Sequence, residues 1–516
     1  MNAPEAGGQE RSLPAKLALL DIERADPLLG RVISLLSSRM PGSGMFLVGG
    51  YLRDLFLGEV SADVDFITFG DPFRVSGLVA EELGGKSFAL LEEERTYRVV
   101  WEGGRERRTL DFSPVKGFSV EADLSRRDFT INAMAVDVER LARRGELLLP
   151  QDLLDKFYGW RDLSRGILRE CHKESFLADP VRLLRAMRLR WSLGLEFEER
   201  TLNHLKKYAP LITRVPGERV TVELMEILLQ PGSWRVFAEM ESTGLLHHVF
   251  PELRGTVGLE QNAYHHLDVW SHTLLTLEEL DRLLGDPGSV YPEHGGEISE
   301  HMQETVQDRY PRSAFLRLAA LYHDAGKPHT FSRDEGGRIH FHSHQSLSRE
   351  AVQRLSERLR LSRRAADYLV RVVGLHMDIG FALRQDLTRR GLHRLVNRLG
   401  EEMADVVLLS TADRFATRGP LTTTEGLERY VAFCRSLLDE HYRERETPPL
   451  LRGGDLLSEL GLEEGPLVGE ILREVRAAQM EGYVGSREEA LELARRLLSS
   501  GRASGGPVPG KEMRDP

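Results

Sequence analysis

The sequence predicts an α+β protein: a small mixed α/β head followed by an elongated, all-α neck and body. Three observations predict it. Up to about residue 140, short apolar runs and strand-like alternation interrupt helical spacing; beyond Glu139 the apolar residues recur at helical spacing almost throughout; and the changes fall at Pro- or Gly-containing breaks. At 516 residues the chain is too long for one core.

Composition is that of a water-soluble globular chain, 41% hydrophobic and 29% charged. No run of about 18 apolar residues occurs, which excludes a membrane span, and Met1 to Glu10 lacks an apolar signal core. A cytoplasmic protein is expected, and with only Cys171 and Cys434 present no structural disulfide is expected. The net charge of −11 excludes a chain that is basic all over, but not local basic stripes: Arg126-Arg127, then Arg182, Arg185, Arg188 and Arg190, then Arg384, Arg389, Arg390 and Arg394.

In order along the chain, residues 1–13 read as a disordered lead and Leu17–Leu36 as one helix. Met45–Val48 is a short buried strand, and a helix opens after Gly49-Gly50. Val64–Thr68 is a strand; Tyr97–Trp101 and Arg108–Phe112 form a hairpin around Glu102-Gly103-Gly104-Arg105. Asp179-Pro180 predicts a helix start capped by Asp179, a local ion pair to Arg182 being one local alternative for those two residues, and Arg182, Arg185 and Arg188 then lie near one side of that helix. Phe250-Pro251-Glu252 breaks the chain before a His-rich helical block. Gly285–Ser313 is polar and acidic and reads as a long loop or insertion that could cover or reshape a site in that block. Thr447-Pro448-Pro449 precedes a final helical segment, and 501–516 reads as disordered. The expected domains are a head over 15–140, a neck and body over 141–255, a metal-binding helical domain over 256–445 and a helical tail over 446–500.

The chemistry begins at Gly49-Gly50-Tyr51-Leu52-Arg53-Asp54 and Asp63-Val64-Asp65-Phe66. On a strand Asp63 and Asp65 share one face while Val64 and Phe66 enter the core. Two convergent carboxylates on a rigid strand suit a pair of Mg²⁺ ions, and the glycines let backbone approach a triphosphate. Asp111, in Thr109-Leu110-Asp111-Phe112, is the candidate third carboxylate.

Two further blocks follow: Ser125-Arg126-Arg127-Asp128-Phe129-Thr130-Ile131-Asn132-Ala133-Met134-Ala135, and Asp179-Pro180-Val181-Arg182-Leu183-Leu184-Arg185-Ala186. With these four elements in order, the chain resembles the bacterial tRNA nucleotidyltransferase and poly(A) polymerase family, the class with a polymerase-β-like head. The resemblance covers residues 15–255 and extends into the remainder. It implies catalysis by Asp63, Asp65 and Asp111 with Mg²⁺, and nucleotide contacts from Gly49, Gly50, Arg53, Arg126, Asp128 and Asn132. Asp179 and Arg182 would read the base, buttressed by Arg185. Arginine offers a planar fork to phosphate, and a carboxylate beside an arginine can stand in for a template base against cytosine or adenine. The implied partners are the 3′ end of tRNA or another RNA, with CTP and/or ATP. Asp111 to Arg126 is compact, whereas enzymes adding the whole CCA are expected to carry a longer charged loop there. The resemblance implies template-independent addition of all or part of CCA to tRNA from CTP and ATP, and the short form looks more like enzymes that add only CC, only A, or a poly(A) tail.

The His-rich block contains His272, His323-Asp324, His344, His376 and Asp413. This H…HD…H…H…D order resembles an HD-type metal phosphohydrolase domain. Imidazole and carboxylate suit Mn²⁺, Ni²⁺, Fe or Mg²⁺, and adjacent His323 and Asp324 could each serve one of two metals. His265, His266, His329, His340 and His342 are expected outside the ligand set. The alternatives to a tRNA-directed head are a poly(A) polymerase, or a phosphohydrolase acting on RNA ends through the His-rich block.

Overall fold

The computed structural model describes residues 19–499, apart from 105 and 386. The expected lead over 1–13, the start of the helix expected at Leu17, the tail over 501–516 and the side chain of Arg389 lie outside the described residues. The chain divides into two compact units, Met1–Pro251 and Glu252–Pro516.

The first unit is built on a six-stranded sheet: β1 (Met45–Val48), β2 (Asp63–Thr68), β3 (Lys86–Leu91), β4 (Thr96–Gly103), β5 (Glu106–Pro114) and β6 (Ala135–Asp137), in the order β3-β4-β5-β2-β1-β6. β2 and β5 run parallel; every other pair is antiparallel. One face is apolar: Phe66 and Phe112, opposite each other on β2 and β5, stack with centroids 5.1 Å apart. Helix Pro72–Leu83 packs on that face against β4. The strand Lys86–Leu91 was not foreseen. Every residue of it is exposed, so no apolar alternation announced it.

The helix expected over Leu17–Leu36 is instead a strand, Leu19–Asp21, a single turn, Ile22–Ala25, and a helix, Pro27–Arg39. The break falls at Asp26 because its side chain caps the second helix, accepting from the Leu29 N–H, and proline follows at the first helical position. Buried Asp26 also accepts from the Tyr51 hydroxyl (2.5 Å) and from Arg108 (2.6 Å), tying the Gly-Gly helix α1 (Gly50–Phe56) to the sheet.

Past the sheet the unit is mostly helical. Helix α2 (Val120–Leu124) follows β5 directly, and α3 (Arg182–Ser192) buries Leu183, Leu184, Ala186, Met187 and Leu189 while turning its arginines outward from that core. Helix α4 (Gly217–Leu228) packs on α3.

The second unit is helical. Its centre is α5 (Val269–Gly285), α6 (Arg312–Tyr322), α7 (His344–Arg358), α8 (Arg363–Leu375) and α9 (Met403–Ala416), mutually packed. Three further helices, Gly453–Leu460, Pro466–Met480 and Arg487–Ser499, share a small core of Leu456, Ile471, Val475 and Ala490.

The segment expected as a loop over Gly285–Ser313 is folded: a helix, Gly295–Gln303, and a two-stranded hairpin, Thr305–Gln307 with Tyr310–Pro311. His301, Arg312 and Tyr368 converge on the buried Asp405 carboxylate at 2.8, 3.2 and 2.6 Å. That long-range network supplies the order that local composition lacked. Among the described residues, no helix is long and apolar enough to cross a membrane, and Cys171 and Cys434 are free.

Candidate active site

Strand β2 presents Asp63 and Asp65 on one face because side chains alternate, while Val64 and Phe66 are buried on the other. Across the parallel pair, Thr109 lies opposite Asp63 and Asp111 opposite Asp65. The Thr109 hydroxyl donates to Asp63. Asp111 is held by Arg98 through two parallel bonds, Nε to Oδ1 and Nη2 to Oδ2, both 2.7 Å. Sequence reasoning missed Arg98. Counting outward from the Gly103 and Glu106 pair of the β4–β5 hairpin would have found it, since the register sets Arg98 opposite Asp111.

Burial pushes the Asp65 carboxyl above its usual range; Arg127 opposes the rise, and the charges of Asp111 and Asp63 add to it. Converging carboxylates of this kind are relieved by a bound cation. Gly49, with φ of +85°, passes directly over Asp65. A Cβ there would stand 2.7 Å from Asp65 Oδ2 and 2.9 Å from Arg127 Nη1. Gly50 follows as the first residue of α1, against the Arg53 guanidinium.

Arg53, Asn132, Asp128 and Arg185 form a continuous relay. Arg53 Nη1 donates to Asn132 Oδ1 (2.6 Å), Asn132 Nδ2 to Asp128 Oδ1 (3.0 Å), and Arg185 Nη1 to Asp128 Oδ2 (3.1 Å). Glu223 on α4 completes it, accepting from Arg185 (2.7 Å) and Arg188 (2.8 Å). Burial pushes Asp128 up, but the Arg185 charge and the bonds from Asn132 and Arg185 outweigh it, so its carboxyl lies below the usual range.

Arg182 does not pair with Asp179. Its Nη2 donates to the Arg126 carbonyl (2.7 Å) and its Nη1 to Ser175 Oγ (2.9 Å). Asp179 pairs with Arg219 of α4 at 2.7 Å. Nor is Asp179 the N-cap of α3: the chain turns through Pro180 and Val181 first, and Val181 is the cap. Asp179 Oδ1 and Arg182 Nε are buried with no hydrogen-bond partner. Arg182, but not Asp179, lines a cavity of about 280 Å³ that opens between Lys116, Arg126, Arg127 and Arg185, with Asp123, Asp128, Ile67 and Ser113 completing its wall. Its strongly cationic lining suits a polyphosphate.

In the second unit the ligand candidates converge from five elements. His272, His323 and Asp413 offer atoms within 4.8 Å of one another; so do Asp324, His344 and His376. His272 Nε2 lies 2.9 Å from Asp413 Oδ1, and His344 Nε2 lies 3.3 Å from Asp324 Oδ1. His323, His344 and His376 each bond through Nδ1 to the carbonyl three residues back, those of Ala320 (2.7 Å), Phe341 (2.9 Å) and Val373 (2.7 Å). This turns each Nε2 inward, where all three are buried without a hydrogen-bond partner. Burial, with the neighbouring His323 and His344, pushes His376 down to about 4, so its imidazole is neutral at pH 7, as a metal ligand must be. The donor set therefore fits divalent metal.

Lys327, three residues past Asp324, places Nζ 2.6 Å from Asp324 Oδ2 and donates to Gln261 Oε1. His265, expected outside the ligand set, packs its ring edge-on against His272, centroids 4.6 Å apart. His266 and His329 are exposed. His340 bonds Asp334 and stacks on His342. The cavity beside the cluster measures about 850 Å³ and includes Tyr264, Lys327, Arg384, Arg414, Arg429 and Tyr430 in its wall; no residue of 285–313 reaches it, so the insertion does not cover this site.

Residues 45–169 match the family described as the poly A polymerase head domain, 194–255 the "Probable RNA and SrmB- binding site of polymerase A", and 269–417 the HD domain. An A-adding tRNA nucleotidyltransferase of Deinococcus radiodurans is 34% identical over 460 residues, spanning 88% of this chain and 95% of that one. A CC-adding tRNA nucleotidyltransferase of Thermus thermophilus is also 34% identical, over 86% of this chain and 92% of its own. The solved Thermotoga maritima CCA-adding enzyme, complexed with tRNA, shares the fold at a TM-score of 0.58 and 21% identity, covering 94% of this chain and 100% of that one. Head, RNA-binding segment and HD domain thus follow one another in one chain, with identity above 30% across nearly the whole of both relatives, and the chain belongs to the tRNA nucleotidyltransferase and poly(A) polymerase family.

Proposed function

We propose that the head extends the 3′ end of tRNA without a template, using CTP or ATP, and adds only part of CCA, either CC or A. The observation that carries the transfer chemistry is the row Asp63, Asp65 and Asp111 beside a cavity walled by Lys116 and four arginines. Asp63 and Asp65 would hold Mg²⁺, with Asp111 as a third oxygen donor. Bound there, the metal supplies Lewis-acid activation of the RNA 3′-hydroxyl and neutralises charge on the triphosphate.

The chain's own residues do the rest. Arg126 and Arg127 hold phosphate oxygens, Lys116 adding its charge from its pairing with Glu94, and Gly49 and Gly50 let the main chain come close without a side chain intervening. The Arg53–Asn132–Asp128–Arg185 relay fixes the groups that meet the ribose. Asp179 Oδ1 is an acceptor and Arg182 Nε a donor, each left without a partner. An acceptor and a donor of this kind, if both turned to one base edge, would match the exocyclic amine and ring nitrogen of cytosine or adenine and mismatch uracil and guanine.

The short link supports partial addition: only residues 115–119 separate β5 from α2. Relatives named for A-adding and for CC-adding are equally similar to this chain. The test is nucleotide extension with Mg²⁺ on tRNA lacking CCA, tRNA ending in CC and an unstructured RNA, each with CTP, ATP or both. Arrest after CC, or one A on the CC-ending tRNA alone, supports the reading. A complete CCA defeats the partial assignment, long A tracts on unstructured RNA install a poly(A) polymerase instead, and no extension defeats the reading.

A second reading concerns the HD cluster. Its three buried, inward-facing histidine nitrogens favour a site for Mn²⁺, Ni²⁺, Fe or Mg²⁺ held by His272, His323, Asp324, His344, His376 and Asp413. Such a metal supplies an activated water, suited to a 2′,3′-cyclic phosphate or phosphomonoester at an RNA end. Metal-dependent release of phosphate, lost in His323→Ala, tests it.

A further inference from the structure

The catalytic face of the head sheet does not end at the carboxylates. Strand register sets Asp65 on β2 opposite Asp111 on β5, Asp111 opposite Arg98 on β4, and Arg98 opposite Phe88 on the edge strand β3. Directly opposed residues share a face, and the Arg98–Asp111 and Thr96–Ser113 side-chain bonds show that they do here. A bulge between Ala89 and Leu91 shifts the β3 register, so Leu91 falls opposite Thr96 and joins the same face; a bulge beside an active site re-aims a side chain in just this way. Phe88 is 47% exposed and Leu91 52% exposed, large apolar groups on the face that carries the chemistry. Lys86, also exposed, precedes them on that face.

We infer that this ledge of Lys86, Phe88 and Leu91 is the seat of the growing RNA strand, with the penultimate base stacked on Phe88 and the phosphate between the last two nucleotides met by Arg98. The inference rests on the nucleotidyl-transfer reading of the head. Arg98 turns Nε and Nη2 to Asp111, which leaves Nη1 for a phosphate oxygen. Two strand spacings, about 10 Å, separate the Asp111 and Phe88 positions, a gap that an unstacked, extended strand crosses between its 3′-hydroxyl and the base of the preceding nucleotide. An aromatic ring flanked by cations is how a single strand is held without reading its sequence. Glu92 and Glu93 beyond Leu91 repel phosphate, which directs the strand toward Lys86, while Glu94 is taken up by Lys116. A second copy of the chain pairing along β3 is disfavoured by the same bulge, which breaks the regular ladder such pairing needs.

The experiment is a double-mutant cycle on the full chain. Dissociation constants are measured for tRNA with an intact or an abasic penultimate nucleotide, against the wild type, Phe88→Ala and Phe88→Trp, together with the KM for the nucleotide. Stacking of 1–3 kcal/mol corresponds to roughly a 5- to 150-fold loss. Phe88→Ala should weaken intact RNA about that much, leave the nucleotide KM within about twofold, and show no further loss on abasic RNA. Phe88→Trp should restore binding. Unchanged RNA affinity in Phe88→Ala overturns the inference, as does a loss that adds fully to that of the abasic site, or a wild-type dimer that Phe88→Ala dissolves. Wild-type extension activity tests the parent reading independently: if the wild type extends RNA and Phe88→Ala binds it equally well, only the ledge falls.

Discussion

Arg98 and Asp111 face each other across the β4–β5 hairpin and share two hydrogen bonds of 2.7 Å, so the third carboxylate of the row is oriented by a cation two strands from Asp65. Removing that cation leaves Asp63, Asp65 and Asp111 facing each other with less compensation. Arg98→Gln is expected to destabilise the protein by about 1–3 kcal/mol in EDTA, and by less in millimolar Mg²⁺. Thermal unfolding with and without Mg²⁺ checks this; an equal loss in both would show that Arg98 serves packing alone.

Asp65→Asn should lower the transfer rate by about 10³-fold or more, the equivalent of losing several kcal/mol of metal-assisted stabilisation. RNA affinity should stay within about twofold. Gly49→Ala should reproduce much of this defect, since its methyl group would displace Asp65 and Arg127. Single-turnover rates beside RNA binding curves separate the two effects.

Asp128 is buried and held ionised chiefly by Arg185. Its folded pKa lies below the unfolded value, so the stability it contributes is present above the unfolded carboxylate range and is lost as pH falls through the lowered pKa. Arg185→Gln strands the carboxylate, at a cost of about 3–5 kcal/mol at neutral pH. In that variant the folded pKa becomes the raised one, so the deficit should shrink as the pH is lowered toward 4 and the carboxyl takes up a proton. Denaturant unfolding at several pH values measures it, and a deficit independent of pH would refute the assignment.

Asp179→Ala should reduce the preference for CTP and ATP over UTP and GTP by about 10- to 100-fold, the worth of one good base-edge contact. Arg219→Ala, which frees Asp179 from its 2.7 Å partner, should loosen selection in the same direction. Competition between nucleotides in a single-addition assay reads both.

His323→Ala should leave transfer within about twofold and abolish the rise in unfolding temperature that Ni²⁺ or Mn²⁺ gives the wild type. A ligand at 100 times its dissociation constant stabilises by about 2.7 kcal/mol, well within reach of calorimetry. Retained metal stabilisation in the variant would remove His323 from the ligand set.

What could be read from the sequence was local. The strand bearing Asp63 and Asp65 follows from a four-residue alternation, and the Gly49-Gly50 turn from residue type alone. His272, His323-Asp324, His344, His376 and Asp413 are recognisable by order, although their convergence is a property of five packed elements. The partners that tune these groups were hidden because each comes from far along the chain: Arg219 lies 40 residues from Asp179, and Glu223 lies 38 from Arg185. Lys86–Leu91 escaped notice because neither face of that strand is buried. The 285–313 segment looked like a loop because its Gly, Pro and acidic residues gave no apolar period; its order comes from Asp405, more than 90 residues beyond Arg312.

His323, His344 and His376 take their orientation from main-chain carbonyls three residues earlier, with no side chain acting as intermediary. Those three imidazoles are thereby oriented independently of the cavity wall, whereas Asp324 is tied to it through Lys327. Arg384, Arg414, Arg429 and Tyr430 can be exchanged one by one without disturbing the imidazole tautomers. The wall of that chamber can therefore change its side chains while the three imidazoles keep their inward orientation.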